Sequence, residues 1–356
     1  MIYCIIFLFA AFLVIAIVPS IIYVSNQKLL FDDVHSGRKI HTSSISRFGG
    51  VGIFCSFMIP CLLFSQITNY SEYRFILASC MILFVLGLKD DFWGVNPSTK
   101  FGIQLITAII MAVLADTRLT SLYGLFNIYD ISYPVSISLS ILIIIFVVNA
   151  FNLIDGIDGL AAMIGAVVNV SLGLMFISMD QLSLACIAFV LAGTCLGFLR
   201  FNLVSAKIFM GDTGALLIGF ISIILALKFI ELNKAGLYKN YNLAPSIVVA
   251  LFIIPAFDTI RVFVLRIIKG NSPFIGDRNH IHHRMLDVGF GHIQTTFILA
   301  AFTLLMLLLV FTLKNVNNFF MVSIIFLICI VCNSILTLVI KKSNIEAIKP
   351  SVAKTS

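Results

Sequence analysis

Apolar residues run along this 356-residue chain in long blocks, and polar residues arrive in short bursts between them. The blocks cover residues 1–24, 49–67, 73–88, 101–116, 135–151, 160–178, 182–199, 214–230, 244–268, 294–313 and 319–340. A helix needs about 17–25 mostly apolar residues to cross a bilayer. Within the hydrocarbon, every backbone N–H and C=O must be satisfied internally, which favours helices. The pattern therefore predicts an all-α polytopic membrane protein with about eleven transmembrane helices. Glycines and prolines inside several blocks fit a bundle, where neighbours satisfy the freed backbone groups. One connection differs: "RLTSLYGLFNIYDISYP" (118–134) alternates and carries turn residues, which predicts a small hairpin. Residues 1–340 read as a single membrane domain and 341–356 as a short polar tail.

Composition sharpens this picture. The chain is 60% hydrophobic and 11% charged, with a mean hydropathy of +1.11, against about a quarter charged in soluble domains. The eight cysteines all lie in apolar blocks without metal-ligand spacing, so they read as small apolar side chains. The first block lacks a basic leader and is too long for a signal peptide core, so it reads as a retained helix. Net charge is +7, which in a membrane protein reflects basic cytoplasmic loops and excludes nucleic acid as the natural partner. With eleven spans, sixteen of the lysines and arginines fall on one side and six on the other, with Arg261 inside a span. The positive-inside rule makes the richer side cytoplasmic, puts the N-terminus outside and the C-terminus inside.

All six histidines and the densest polar clusters fall in loops of the cytoplasmic side, which predicts a cytoplasmic active-site cleft. Asp90 and Asp91 follow "MILFVLGL" directly. Adjacent carboxylates repel and gain from a cation, which suits metal handling or proton abstraction, although a charged pair can also simply stop a helix. In "NAFNLIDGIDGL", Asn149 and Asn152 are three apart, as are Asp155 and Asp158. Helical spacing puts each pair on one face, and Gly156 and Gly159 permit a sharp turn or close approach of a ligand. Such oxygens suit Mg²⁺. Asp212 in "KIFMGDTGAL" either caps the following helix or ligates a metal. Phe209 and Met210 beside it offer a surface for a nucleobase. "DRNHIHHRML" holds His280, His282, His283 and Arg284 between other charges. Without a nearby cysteine or a zincin pattern, it reads as a phosphate clamp. Hard-metal carboxylates, a basic histidine loop and glycine turns at one membrane face suit magnesium-assisted phosphoryl transfer from a water-soluble donor to a lipid acceptor.

"KDDFWG", "NAFNLIDGIDGLA", "FMGDTGALLIGF" and "SPFIGDRNHIHHRMLDVGF" resemble, in order, four motifs of the polyprenyl-phosphate N-acetylhexosamine-1-phosphate transferase family. "DDVHSGRKIH" resembles a fifth, with His35 where the family often has proline. The HIHH form is similar to the undecaprenyl-phosphate GlcNAc-1-phosphate branch rather than the muropeptide branch. The resemblance implies that a UDP-N-acetylhexosamine gives its sugar 1-phosphate to undecaprenyl phosphate, releasing UMP, in a bacterial inner membrane. It implies the first lipid-linked step of a cell-wall or O-antigen polysaccharide. UDP-GlcNAc is the default donor, with UDP-GalNAc, UDP-QuiNAc and UDP-FucNAc as alternatives. It further implies that Asp212 and Asn152 hold Mg²⁺ (Mn²⁺ as the substitute), and that Asp90 or Asp91 handles the lipid phosphate or its proton. Asp155, Gly156, Asp158, Asn202 and Phe209 would line the nucleotide side, and Asn149 would contact substrate. His280, His282, His283, Arg284, Lys100 and His41 would meet phosphates or sugar. A homodimer is left open. A transporter is the competing reading, but its site would lie near the bilayer midplane. Asp258 and Arg261 read instead as a structural ion pair near the inner face.

Overall fold

A computed structural model describes residues 2–28, 45–64, 73–125, 128–234, 241–272 and 279–352, with side chains described to residue 342. His41 lies outside the described residues. Among the described residues, each predicted block holds a helix. They are α1 (Ile2–Gln27), α2 (Gly49–Leu63), α3 (Tyr73–Trp93), α4 (Pro97–Ile109, closed by a π turn over Ile110–Leu114), α5 (Tyr133–Ile154), α6 (Leu160–Ser178) and α7 (Leu182–Asn202). After these come α8 (Gly211–Lys234), α9 (Ala244–Leu251), α10 (Ile253–Ile268), α11 (Ile281–Asp287), α12 (His292–Thr312) and α13 (Asn318–Val352). Eight helices are long and apolar enough to cross a membrane, or nine if the bent α9–α10 pair is one span. Of the other two segments in the expectation of about eleven, α2 has only 15 residues, and α3 carries Arg74, Lys89, Asp90 and Asp91.

The block at 244–268 is not one straight helix: α9 and α10 meet at 72° around Phe252. Pro255 explains the break. It has no N–H to offer the Leu251 carbonyl, and its ring would clash with that carbonyl in a continuous helix. At the other end of the chain, α13 stays helical through Val352, well into the expected tail.

α8 forms the axis of the bundle. In its most apolar stretch 83% of the residues are buried, against 22% for α1 and 11% for α13, which face outward. It packs against α2, α3, α5 and α6, while α1 lies on α7 and α12 on α6 and α9. Apolar surface all round α8 is what a helix enclosed by other helices requires. Phe220, Ile224 and Phe229 are completely buried on it. The polar ends of α3 and α5 and the first turns of α6 and α8 thus converge at one end of the bundle. At the opposite end, the predicted hairpin exists as a single antiparallel bridge, Ser121 to Asp130. Glu231 at the end of α8 accepts the Thr120 N–H at 2.8 Å and its hydroxyl at 2.7 Å, which fastens this ribbon to the axis.

Candidate active site

The start of α8 is built by two other segments. Residues 46–50 lie alongside 209–210: the Phe209 N–H donates to Ser46 O at 2.8 Å, and those of Gly49 and Gly50 to Phe209 O and Met210 O at 3.0 and 2.8 Å. Asp91, from the end of α3, accepts the N–H of Asp212 (2.8 Å), the N–H of Thr213 (3.1 Å) and the Thr213 hydroxyl (2.6 Å). These donors would otherwise be orphaned at a helix N-terminus, and a carboxylate there also meets the positive end of the helix dipole. Gly211 makes the approach possible. Its φ is +68°, and a Cβ there would sit 2.7 Å from the Asp91 oxygens. The cap of α8 is therefore Asp91, and the Asp212 side chain is engaged elsewhere.

Asp212 turns its two oxygens to two partners. Oδ1 accepts the Asn152 amide at 2.8 Å, and Oδ2 pairs with the Lys100 ammonium. The same ammonium donates to Asp90 Oδ2 at 3.0 Å, while Asp90 Oδ1 accepts the Val95 N–H at 2.6 Å. Lys100 thus bridges the last turn of α3 and the first turn of α8. Asp90 and Asp91 are neighbours in sequence with separate tasks in space.

The elbow between α5 and α6 closes the cluster. Asp155 ends α5, half-buried; burial and the nearby Asp212, Asp91 and Asp158 push its pKa well above the usual carboxylate range. Opposite it, a Cβ on Gly156 would stand 2.4 Å from His282 Nε2, so only glycine admits this ring. His282 is 1% exposed, and burial, then the neighbouring His283, lowers its pKa to about 3, so the ring is neutral. The His280 and His282 rings lie parallel at 5.6 Å, and His283 is 4.3 Å from His282. Asp158 is buried, with Oδ2 3.2 Å from His292 Nδ1, and its carbonyl accepts the Thr296 hydroxyl at 3.0 Å.

Several predicted site residues stand back from this cluster. Asn202 is buried and spends its amide on backbone, accepting the Gly159 N–H at 2.8 Å and donating to Ile208 O at 2.9 Å. It ties the elbow to the segment that leads into α8. Asn149 pairs with Gln104 of α4, donating to Oε1 at 2.8 Å. Arg284 donates to Asn333 Oδ1 and, at 2.6 Å, to Thr337 Oγ1 on α13. Burial, with Arg261 near, lowers its pKa. Thr213, Gln104 and His292 are partners the sequence reading did not single out. His292 alone gave a signal, as the last histidine of the same polar loop.

Residues 73–230 match the glycosyl transferase family 4 profile. The chain is 32% identical over 305 residues to a probable undecaprenyl-phosphate N-acetylglucosaminyl 1-phosphate transferase of Bacillus subtilis, covering 84% of this chain and 81% of that protein. The chain belongs to glycosyl transferase family 4. A decaprenyl-phosphate N-acetylglucosaminephosphotransferase of Mycolicibacterium smegmatis is 33% identical over 279 residues, 72% of this chain and 68% of its own. The undecaprenyl-phosphate alpha-N-acetylglucosaminyl 1-phosphate transferase of Escherichia coli K12 is 29% identical over 270 residues, 74% and 71% of the two chains. Within family 4 terms, the matched region runs from α3 through most of α8, which contains every carboxylate of the cluster.

Among the described residues, no three histidine, cysteine, aspartate or glutamate side chains form a metal-binding group by themselves. The donor set nevertheless fits a hard divalent cation. Among the described residues, Asp90 and Asp212 share the Lys100 ammonium, Asp155 lies near Asp91 and Asp212, and Asn152 adds an amide, so hard oxygen donors from three segments meet here. Mg²⁺ is usually held by one or two carboxylates, with water and substrate phosphates completing its shell.

Proposed function

We propose that this transferase moves N-acetylglucosamine 1-phosphate from UDP-GlcNAc to a polyprenyl phosphate and releases UMP. The names of the relatives support the acceptor and the sugar phosphate. The observation that carries the reading is the Lys100 bridge between Asp90 and Asp212. It marks a place where positive charge is held between two carboxylates from different helices, at the end of the bundle where a lipid phosphate and a soluble diphosphate can meet. In the reaction, an acceptor phosphate oxygen bonds to the phosphorus that carries the sugar. The bond from that phosphorus to the bridging oxygen breaks, and the bridging oxygen leaves on UMP.

Asp212 and Asn152, with the amide turned to present its oxygen, would hold Mg²⁺, or Mn²⁺ in its place. The ion when bound supplies charge neutralisation at the donor diphosphate. Asp90 orients the acceptor phosphate and takes its proton, if one remains. Lys100 draws an acceptor or donor oxygen towards the carboxylates. Asp91 holds the start of α8 and so the position of Asp212. Asp155 and Asp158 face the nucleotide from the elbow, while His280, His282 and His283 face the diphosphate or sugar. The excess of basic residues supports a cytoplasmic position for this end in a bacterial inner membrane, with the N-terminus outside. Purified protein, undecaprenyl phosphate and a panel of UDP-sugars test the proposal by UMP release. UMP formed with UDP-GlcNAc, and less with UDP-GalNAc, is the expected result. UMP formation that does not depend on the lipid would refute transfer.

A further inference from the structure

The histidine segment at 280–283 is held by a device that the reaction itself does not call for. Asp258 of α10 is 1% exposed in the half of the bent pair that follows Pro255. Its Oδ1 accepts the N–H of Ile281, the first residue of α11, at 2.9 Å. The same oxygen accepts Arg261 Nη2 at 2.9 Å, and this guanidinium also donates to the Asn279 carbonyl just ahead of α11. Oδ2 lies 2.9 Å from His280 Nδ1. One buried carboxylate therefore caps α11, pairs with the arginine that holds its approach, and binds the first histidine of the row.

The chemistry of the His280 contact follows. A carboxylate is an acceptor only, so Nδ1 must carry the proton, and in the neutral ring the lone pair is left on Nε2. Carboxylates that bind the far nitrogen of a functional histidine fix its tautomer and ring orientation. The orientation is passed on. His280 lies parallel to His282 at 5.6 Å, and His282 Nε2 is buried against Gly156 in the elbow with no hydrogen-bond partner among the described residues. A displaced α11 would move that nitrogen away from Gly156 of the elbow.

We infer that Asp258 and Arg261 are positioning residues for the transfer: they fix the tautomer of His280 and set the histidine row against the α5–α6 elbow. The inference rests on the proposed role of His280 at the donor diphosphate. It goes beyond that role by placing its control in α10.

Three measurements test it on the full-length protein in detergent or nanodiscs. The first uses the wild type with ¹⁵N-labelled histidine, with His280→Ala identifying the signal. A protonated Nδ1 is expected, whatever the state of Nε2; a ring protonated at Nε2 alone overturns the inference. The second is a double-variant cycle in UMP release with Asp258→Asn and His280→Ala. Asp258→Asn, whose amide offers N–H to Nδ1, should lower kcat by about 10–100-fold, the range for groups that orient a ligand histidine. Adding it to His280→Ala should cost little more. Full additivity would mean that Asp258 serves the fold alone, and overturns the proposal. The third repeats the cycle with Arg261→Gln, which keeps the carboxylate and serves if Asp258→Asn does not fold. The same non-additivity is expected, and additivity counts against the proposal. If His280→Ala transfers normally, the positioning role falls while the transfer reaction stands. If the wild type releases no UMP with any UDP-sugar, the reaction falls, and the tautomer measurement still decides whether Asp258 sets the ring.

Discussion

Two helix N-termini in this protein are capped by carboxylates from another helix, and they serve different ends. At α8, Asp91 of α3 takes the N–H groups of Asp212 and Thr213. At α11, Asp258 of α10 takes the N–H of Ile281 together with the His280 ring. A local cap needs only a polar residue just before the helix. A cap from afar does more, because it fixes one helix against another. The α8 cap frees Asp212 to face Lys100 and Asn152. The α11 cap governs a histidine instead, so its strength shows in ring orientation more than in stability. In both, the charged residue next to the reacting groups is separated from the one that holds the frame.

The largest expected effect divides Asp212 from its cap. Asp212→Asn removes charge and leaves Asp91 on the backbone N–H groups, so the protein should fold and melt near the wild type. Transfer should drop by at least about 10²-fold, the loss typical of a removed electrostatic stabiliser, with little rescue by excess Mg²⁺. Near-normal turnover across a magnesium titration would sink the metal assignment.

Next comes the contrast between neighbours. Asp90→Asn should keep the melting temperature and donor binding but lose turnover. Asp91→Ala should instead cost about 0.5–2 kcal/mol of stability as a lost cap, and raise donor KM as Asp212 drifts. Matching melting curves and matching kinetics for the two variants would erase the distinction drawn between them.

A smaller effect is expected at Asn202, which supports the elbow without facing the cluster. Asn202→Ala leaves the Gly159 N–H and the Ile208 carbonyl without their side-chain partner, a cost of about 1–3 kcal/mol. Melting should shift down while donor KM in the surviving folded fraction changes little. A large KM change with unchanged melting would make Asn202 a substrate contact instead.

The last effect is a pH dependence. His282 ionises at about 3 when folded, against 6.5 for a free histidine. The unfolded chain therefore binds the extra proton first, and stability is complete above pH 6.5 and declines as pH falls towards 3. The slope from this group is at most about 1.4 kcal/mol per pH unit. His282→Gln should flatten the decline in melting temperature between pH 6.5 and 5. An unchanged slope would show that the ring is not held neutral.

Much of this was legible in the chain before any fold. The apolar blocks marked every long helix, because crossing hydrocarbon demands long apolar runs, while the short α11 lay outside them. The polar bursts marked one end of the bundle, because charge is tolerated only near its margins. The motifs named Asp90, Asn152 and Asp212 as a group, and the structure puts them beside Lys100. What spacing did not show is the division of labour inside each motif. "KDD" gives no sign that one aspartate serves a lysine and the other a helix end. "HIHHR" gives no sign that Arg284 turns to Asn333 and Thr337 while His282 turns to Gly156. Those facts depend on which helix lies next to which.

The sequence by itself determined the membrane class, the helices, the polar end and the family, since each follows from local composition or short contiguous patterns. The tertiary structure alone decided the two borrowed caps and the Lys100 bridge. Each of these joins residues far apart in the chain, and their energies depend on distance and burial, which no linear spacing encodes.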